Sequence, residues 1–256
     1  MIQFEKKDKI AYITLNRPDK FNSINKPTAL AFQEALDDCH HDNAVRCVII
    51  SGVGRAFCAG QDLGEIVDPN GPPLDEIVGQ HYNPIIMKIR NMPKPVIAAI
   101  NGVAAGAGAN IGLACDIVVA KHSATFLQAF SKIGLIPDSG GTYTLPRLVG
   151  QARASALMML AEKVSAQDAE KIGMIYKAIP DEAFEETVEK MATKLANMPT
   201  IGLAQTKKLL NISYSNDLEA QLVAENEAQN IAGVTDDYAE GVKAFLEKRK
   251  PTFYGK

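Results

Sequence analysis

The sequence predicts an α/β core followed by a largely helical C-terminal part. Two short apolar runs, 45–51 (VRCVIIS) and 95–100 (PVIAAI), have the length and composition of buried strands. From about residue 140 onward, helical patterns dominate. An α/β arrangement that gives way to consecutive helices predicts one layered core with a helical C-terminal region.

The predicted elements follow in order along the chain. Residues 10–15 alternate toward β-branched and aromatic types and predict the first strand, and 27–42 predict a helix with apolar residues along one side. Turn formers at 68–73 (DPNGPP) predict a surface loop before a helix over 74–92. Further strands are expected at 117–120 and 125–126, and further helices near 151–161, 165–172, 182–197, 201–212, 217–232 and 235–248.

Composition and charge exclude several classes of protein. The chain has 256 residues, a formal net charge of -3 and 46% hydrophobic residues, which support a substantial core. This charge gives no general attraction to nucleic acid or to an anionic membrane, so neither is an expected partner. The N-terminus has charges where a secretory signal needs apolar residues, and no later run approaches a membrane span. We expect a cytoplasmic protein.

The four cysteines indicate neither a metal site nor a disulfide framework. Cys39, Cys47, Cys58 and Cys115 are irregularly spaced and include no CxxC pair. We therefore expect reduced thiols, no metal and no permanently bound cofactor.

A glycine-rich segment, 101–116 (NGVAAGAGANIGLACD), places small residues at the start of a predicted helix. Small residues there let a ligand approach backbone N–H groups, and a helix N-terminus favours negative charge. Close packing of two backbones explains the same residues equally well. The glycines also fit the GxxxGxG spacing of short-chain dehydrogenases, but they lie far from the first strand. None of the seven tyrosines is followed by a lysine four residues later, so dinucleotide binding is disfavoured.

A serine hydrolase also fits the sequence badly. Ser139 lacks the GxSxG pattern of a nucleophile elbow. The four histidines, at positions 40, 41, 81 and 122, occur in no catalytic motif and are expected at the surface or in hydrogen bonds.

Several segments in order resemble the crotonase, or enoyl-CoA hydratase/isomerase, superfamily. They are 13–24 (ITLNRPDKFNSI), 44–63 (AVRCVIISGVGRAFCAGQDL), 93–108 (PKPVIAAINGVAAGAG), 113–126 (LACDIVVAKHSATF) and 133–150 (IGLIPDSGGTYTLPRLVG), and the similarity continues to the tail FLEKRKPTF. The resemblance implies a crotonase-like spiral of ββα units over residues 1–195, which holds an acyl-CoA site. It also implies a helical trimerisation region over 196–256, within a homotrimer or a dimer of trimers.

The resemblance assigns a substrate and the residues that bind it. The substrate is an acyl-CoA thioester, so coenzyme A enters as part of the substrate. The resemblance implies that its adenine end lies near Ala59, Gln61 and Leu63, flanked by Lys20 and Phe21. It also implies that Lys248 and Phe253, near the C-terminus, reach the ligand of a neighbouring subunit. By the same resemblance, the backbone N–H groups of Gln61 and Ala107 are expected to form an oxyanion hole, which is a major contribution to catalysis in comparable sites.

Two departures from the hydratase pattern point to another activity. Hydratases use two glutamates, and the matching positions here are Asn110 and Phe130. Neither side chain is an acid or a base under ordinary conditions. Efficient addition of water is therefore doubtful, and Phe130 is expected to shape an apolar acyl pocket.

Asp138 is the remaining acidic candidate. It stands where hydratases usually carry glycine, and the resemblance places it at the acid-bearing site of several enoyl-CoA isomerases and of the ring-opening 1,2-epoxyphenylacetyl-CoA isomerases. Burial beside apolar groups would raise its pKa and make it a better base. The alternative is that Asp138 merely caps the following helix.

The sequence therefore predicts an acyl-CoA isomerase that moves a proton on an enoyl-CoA or 1,2-epoxyphenylacetyl-CoA type of thioester. Enoyl-CoA hydratase is the nearest alternative. Aryl-CoA dehalogenases place a nucleophilic aspartate at the position of Asp138, but they carry a tryptophan where Phe130 stands, and this chain has no tryptophan. A non-catalytic RNA-binding relative is disfavoured by the acidic charge balance.

Overall fold

Ten strands and twelve helices make up the computed structural model, which describes residues 1–256. The strands are β1 (Ile2–Lys7), β2 (Ile10–Leu15), β3 (Cys47–Gly52), β4 (Ala56–Cys58), β5 (Val96–Ile100), β6 (Val103–Ala105), β7 (Ile117–Lys121), β8 (Thr125–Leu127), β9 (Lys163–Ser165) and β10 (Lys177–Ile179). The helices are α1 (Lys26–His41), α2 (Leu63–Ile66), α3 (Leu74–Glu76), α4 (Asn83–Asn91), α5 (Ala107–Leu113), α6 (Gly141–Val149), α7 (Gln151–Leu160), α8 (Ala166–Lys171), α9 (Phe184–Ala196), α10 (Thr200–Ile212), α11 (Leu218–Gly233) and α12 (Asp236–Leu246).

The strands form two sheets. The larger has the order β1-β2-β3-β5-β7-β10 and is parallel except for the β1-β2 pair. The smaller has the order β4-β6-β8-β9, with β9 antiparallel to β8. Consecutive strands alternate between the sheets, since β3, β5 and β7 lie in the first and β4, β6 and β8 in the second. Helices α2 and α5 follow the first two of these strand pairs. The predicted α/β class and its ββα repetition are confirmed.

The larger sheet is covered on both faces. One face contributes to the main core, which includes Phe32 and Leu36 of α1 and Ile50 of β3. The other face packs against α9 through Ile49 and Phe184, among other residues. Strands of a parallel sheet that is covered on both faces are apolar throughout, which explains why β3 and β5 are recognisable from sequence as unbroken apolar runs.

The C-terminal helices are tied to the core through a clamped tail. The Asp237 carboxylate accepts hydrogen bonds from the backbone N–H groups of Tyr254 and Gly255, at 2.6 and 2.8 Å. Arg46, just before β3, donates to the carbonyl of Phe253 at 2.8 Å. Arg46 and Asp237 are both buried, so these bonds fix the tail against the body of the chain.

Sequence and structure differ in the short elements. The stretch predicted as one helix over 74–92 consists of α3, a π-helical turn at Ile77–Tyr82 and α4. Strands β1, β4, β6, β9 and β10 and helix α2 are absent from the prediction, and α6 was expected only as the helix that follows Asp138. Of these elements, only β1 and α6 have more than four residues. A strand of three residues is too short to show an alternating pattern, and β6 lies in a segment of small residues. None of the twelve helices combines the length and the apolar composition that a membrane-spanning segment requires.

Candidate active site

A cavity of about 490 Å³ lies beside the loop after β4, the N-terminus of α5 and the segment before α6. Its wall is mostly apolar and is formed by Lys20, Phe21, Ser23, Ala59, Gly60, Gln61, Leu63, Ile66, Leu74, Ile77, Tyr82, Gly106, Ala107, Ala129, Phe130, Lys132, Ile133, Leu135 and Asp138. Asp138 is the only acidic residue among them. The structure therefore brings together eight of the ten residues that the sequence predicts for the site.

Two backbone N–H groups on the cavity wall have no partner within the chain. A parallel bridge joins Ile24 to Gln61: the N–H of Ile24 donates to the Gly60 carbonyl, and the N–H of Asp62 donates to the Ile24 carbonyl. In a parallel bridge, the residue between those two bonds directs its own N–H to the opposite side. The N–H of Ala107 is likewise free, because Ala107 begins α5.

Two glycines bring these N–H groups close together. Gly60 has φ +89°, and a Cβ built on it would lie 3.3 Å from the Ala107 nitrogen, so the two segments run side by side. Gly106 has φ 53° and ψ -130°, a conformation that only glycine adopts readily. This conformation sets the direction of the Gly106–Ala107 peptide and therefore of the Ala107 N–H.

Asp138 lies in the same cavity, in the loop before α6. The Ser139 hydroxyl donates to its carboxylate at 2.8 Å. Burial raises the pKa of Asp138 above its ordinary value, and the Ser139 hydrogen bond opposes this shift. The helix-cap alternative is wrong: the N-cap of α6 is Gly140, and no side chain caps that helix.

The two positions that match the hydratase glutamates provide no acid. Phe130 is buried and lines the cavity, with its ring beside Gly106. Asn110 does not line the cavity. Its side-chain amide donates to the carbonyl of Asp138 at 2.8 Å.

This arrangement combines one carboxylate with two free N–H donors in an apolar cavity. Such donors stabilise negative charge on a carbonyl oxygen, and the carboxylate can accept a proton from the adjacent carbon. The described residues include no cluster of three or more side chains that could hold a metal ion.

Comparison with known proteins agrees with these features. A family model described as enoyl-CoA hydratase/isomerase matches residues 5–256. The chain belongs to the enoyl-CoA hydratase/isomerase family. It is 47% identical over 247 residues to the 1,2-epoxyphenylacetyl-CoA isomerase of Escherichia coli K12, covering 95% of this chain and 94% of that protein. It is also 44% identical over 255 residues to a protein of Rhodobacter capsulatus named "Probable enoyl-CoA hydratase", covering 100% and 98%.

A solved structure supports the family membership. The enoyl-CoA hydratase of Bacillus anthracis superposes with a TM-score of 0.92 at 33% identity, and the match covers 100% of this chain and 99% of that one. The relatives therefore include proteins named as isomerases and proteins named as hydratases.

The rim of the cavity in this family member is built from two adjoining loops. The N–H of Ala59 donates to the Phe21 carbonyl at 3.0 Å, which ties the two loops together. The Arg55 guanidinium lies over the Phe21 ring, 4.4 Å from its centroid. Lys20 and Leu63 are exposed beside them. An exposed rim with a lysine suits the polar part of a long ligand.

Lys248 and Phe253 do not line this cavity. Phe253 packs near Gly241 of α12. Lys248 is exposed, just beyond α12. Their predicted contact with the ligand of a neighbouring subunit stays a prediction.

Tyr82 is a cavity residue that the sequence reasoning missed. It is fully buried, and its hydroxyl donates to Oε1 of Gln61 at 2.9 Å. Nε2 of Gln61 in turn donates to Glu65 at 2.8 Å, so the Gln61 side chain is held from both ends. Burial raises the pKa of Tyr82 well above its ordinary value, which keeps the phenol neutral. No motif in the sequence signals this contact. Lys132, on the cavity wall, was missed as well.

Proposed function

We propose that this protein is an acyl-CoA isomerase in which Asp138 moves a proton on the bound thioester. The observation that supports the proposal most strongly is the composition of the cavity wall. Its one carboxyl group, that of Asp138, lines the same cavity as the free N–H groups of Gln61 and Ala107. The carboxylate is the base, and the N–H groups are the oxyanion hole.

The reaction conserves atoms and electrons. Asp138 removes a proton from the carbon beside the thioester carbonyl, and the electron pair of the broken C–H bond forms the carbon–carbon double bond of an enolate. The N–H groups of Gln61 and Ala107 stabilise the enolate oxygen. The enolate electrons then shift the double bond along the acyl chain, and protonated Asp138 returns the proton to a more distant carbon. With a ring-epoxidised substrate, the carbon–carbon bond of the epoxide also breaks as the ring expands to a seven-membered oxepin, the two electrons of that bond join the ring double bonds, and the returned proton enters that ring. Nothing is oxidised or reduced, and the carboxylate is regenerated.

The favoured substrate is an unsaturated or ring-epoxidised aromatic acyl-CoA of the 1,2-epoxyphenylacetyl-CoA type. The name of the 47% identical relative supports this choice, as do the aromatic walls provided by Tyr82 and Phe130. Coenzyme A, which is part of the substrate, then lies along the rim residues Lys20, Phe21, Ala59 and Leu63.

A trimer or a dimer of trimers completes the proposed assembly. Helices α11 and α12 present exposed apolar side chains that suit burial between subunits, including Leu222, Val223 and Phe245. In that assembly Lys248 and Phe253 reach the ligand of a neighbouring subunit.

Hydration is the second candidate, and the hydratase names of several relatives favour it. Water addition in this chain would have to use Asp138 alone, because Asn110 and Phe130 provide no acid or base.

A panel of acyl-CoA thioesters in heavy water separates the two reactions. With 2- and 3-enoyl-CoA isomers and 1,2-epoxyphenylacetyl-CoA, we expect mass spectrometry to find deuterium in the acyl group and an isomerised product. A product that has gained the mass of water at a comparable rate would establish a hydratase. If no thioester exchanged a proton, the catalytic proposal would be wrong.

The raised pKa of Asp138 predicts the pH dependence of turnover. A base acts in its ionised form, so kcat/KM, which reports the ionisation of the free enzyme, should fall as the pH drops through the Asp138 pKa, which lies above the ordinary value of 3.8. The variant Ser139→Ala removes a hydrogen bond that lowers this pKa, so the acidic limb should move to higher pH. The measurement is kcat/KM against pH for both proteins. An acidic limb that stays in place or moves to lower pH in Ser139→Ala would contradict the assignment.

A further inference from the structure

Asn110 is buried directly behind the loop that carries Asp138. It lies in the middle of α5, only 1% of its surface is exposed, and it is absent from the cavity wall. Its Nδ2 donates to the carbonyl of Asp138 at 2.8 Å, and its Oδ1 accepts from Nε2 of Gln128 at 2.8 Å. Because Gln128 supplies a donor to the oxygen, the amide nitrogen must face the Asp138 carbonyl.

The loop that Asn110 contacts has a strained backbone. Ser139 and Gly140, which follow Asp138, have φ angles of 51° and 71°. A non-glycine residue in this region is unfavourable and persists only where its surroundings hold it. The Asp138 carbonyl is the point that is held, because it accepts both the Asn110 amide and the N–H of Gly141, the latter at 2.9 Å.

The fit between Asn110 and the loop is close. A Cβ added to Gly141 would overlap the Asn110 amide group, so the side chain lies against the backbone at the start of α6 as well as against Asp138. Contacts at both ends of the turn leave it little freedom to shift.

We propose that Asn110 is a positioning residue that clamps the Asp138 loop, so that the Asp138 carboxylate stays aimed into the cavity beside the oxyanion donors. This inference rests on the proposed function, in which Asp138 is the base. It gives a physical reason for an amide at this position: a carboxylate has only acceptor atoms and would repel the Asp138 carbonyl. An ionised hydratase-type acid at residue 110 therefore could not supply the hydrogen bond that holds the loop presenting the acid at residue 138.

The variant Asn110→Asp tests the clamp, because it keeps the size of the side chain and replaces the donor by a charged acceptor. We expect kcat to fall about 10- to 100-fold, as small displacements of a reacting group do, while KM changes less than about threefold. The acidic limb of kcat/KM should also move to higher pH, because a second carboxylate near Asp138 disfavours its ionisation. The other groups near the Asp138 carboxyl are the Ser139 hydroxyl and the Tyr82 phenol, and Lys20 and Lys132 line the same cavity.

Asn101→Asp is the matched control. The Asn101 amide also donates to backbone carbonyls, those of Gly54 and Ala56, but the residue does not line the cavity. Its replacement should lower thermal stability and leave kcat and the acidic limb unchanged. A purely structural role for Asn110 would give the same result in both variants.

A neutral variant, Asn110→Ser, covers the case in which Asn110→Asp does not fold, and it should lower kcat with KM nearly unchanged. The positioning role of Asn110 would be refuted if Asn110→Ser had the kcat of the wild type. It would also be refuted if Asn110→Asp had both the kcat and the pH profile of the wild type. Failure of the proposed function is distinguishable: Asp138→Asn would then retain turnover. If Asp138→Asn is inactive and the Asn110 variants behave as wild type, only the clamp is refuted.

Discussion

Replacing Asp138 by Asn should lower kcat about 10²- to 10⁴-fold, which is the usual contribution of a general base. The amide has the same shape and still accepts the Ser139 hydrogen bond, but it cannot take a proton from the thioester. Binding of a saturated acyl-CoA, measured by titration calorimetry, should change less than about threefold, because the oxyanion donors and the rim are untouched. Asp75→Asn, at an exposed position on α3, is the matched control and should leave kcat unchanged.

The same substitution should raise thermal stability at neutral pH. The pKa of Asp138 is raised in the folded chain, so the folded state binds the proton more tightly than the unfolded state does. Stability therefore falls as the pH rises from 3.8 through the folded pKa, and the cost is fully present above it. Asn removes this cost, so the gain in Tm should appear at neutral pH and vanish below the unfolded pKa. A lower Tm at neutral pH would contradict burial as the cause of the shift.

The second large effect should come from Gly106→Ala. At φ 53° and ψ -130° an alanine is strained, although the nearest atom to its Cβ would be 3.8 Å away, so the effect is conformational rather than a clash. Relief of the strain rotates the Gly106–Ala107 peptide and moves the Ala107 N–H away from the enolate oxygen. Loss of one such donor costs about 2.7 to 4 kcal/mol, so we expect kcat to fall about 10²- to 10³-fold in steady-state assays.

Gly150→Ala separates this effect from general strain. Gly150 also has a positive φ, 79°, and no atom lies within 4 Å of an added Cβ, but it follows α6 and is not part of the cavity wall. Both variants should lose stability, and only Gly106→Ala should lose kcat. Equal kcat in the two variants would refute the role of the Ala107 N–H.

The sequence predicted eight of the nineteen residues of the cavity wall, because the ordered segments that carry the family resemblance identify which loops meet. Gln61, Ala107, Phe130 and Asp138 are separated along the chain, yet the structure gathers them in one cavity. The long elements α1, β3 and β5 were predicted from apolar patterns that reflect burial on one face or both. These patterns depend only on neighbours in sequence, so they are readable without the fold.

The contacts of Tyr82 and Asn110 were not predictable in the same way. A π-helical turn has more residues per turn than an α-helix. At Ile77–Tyr82 the α-helical period therefore does not predict which side chains face the cavity. Asn110 contacts a carbonyl 28 residues away, in a loop whose left-handed residues include a serine. Neither the hydrogen bond from Asn110 to the Asp138 carbonyl nor the backbone strain at Ser139 produces a recognisable pattern in the neighbouring sequence.

The two free N–H groups of the cavity also decide what mutagenesis can detect. Position 107 is already alanine, and truncating Gln61 leaves its amide hydrogen in place, so an alanine scan passes over both donors. The directions of these two N–H groups are set by the backbone conformations of the preceding residues, Gly60 and Gly106. Both conformations depend on the absence of a side chain. Random mutagenesis should therefore give inactive variants at Gly60 and Gly106, two positions that an alanine scan of the donor residues themselves does not test.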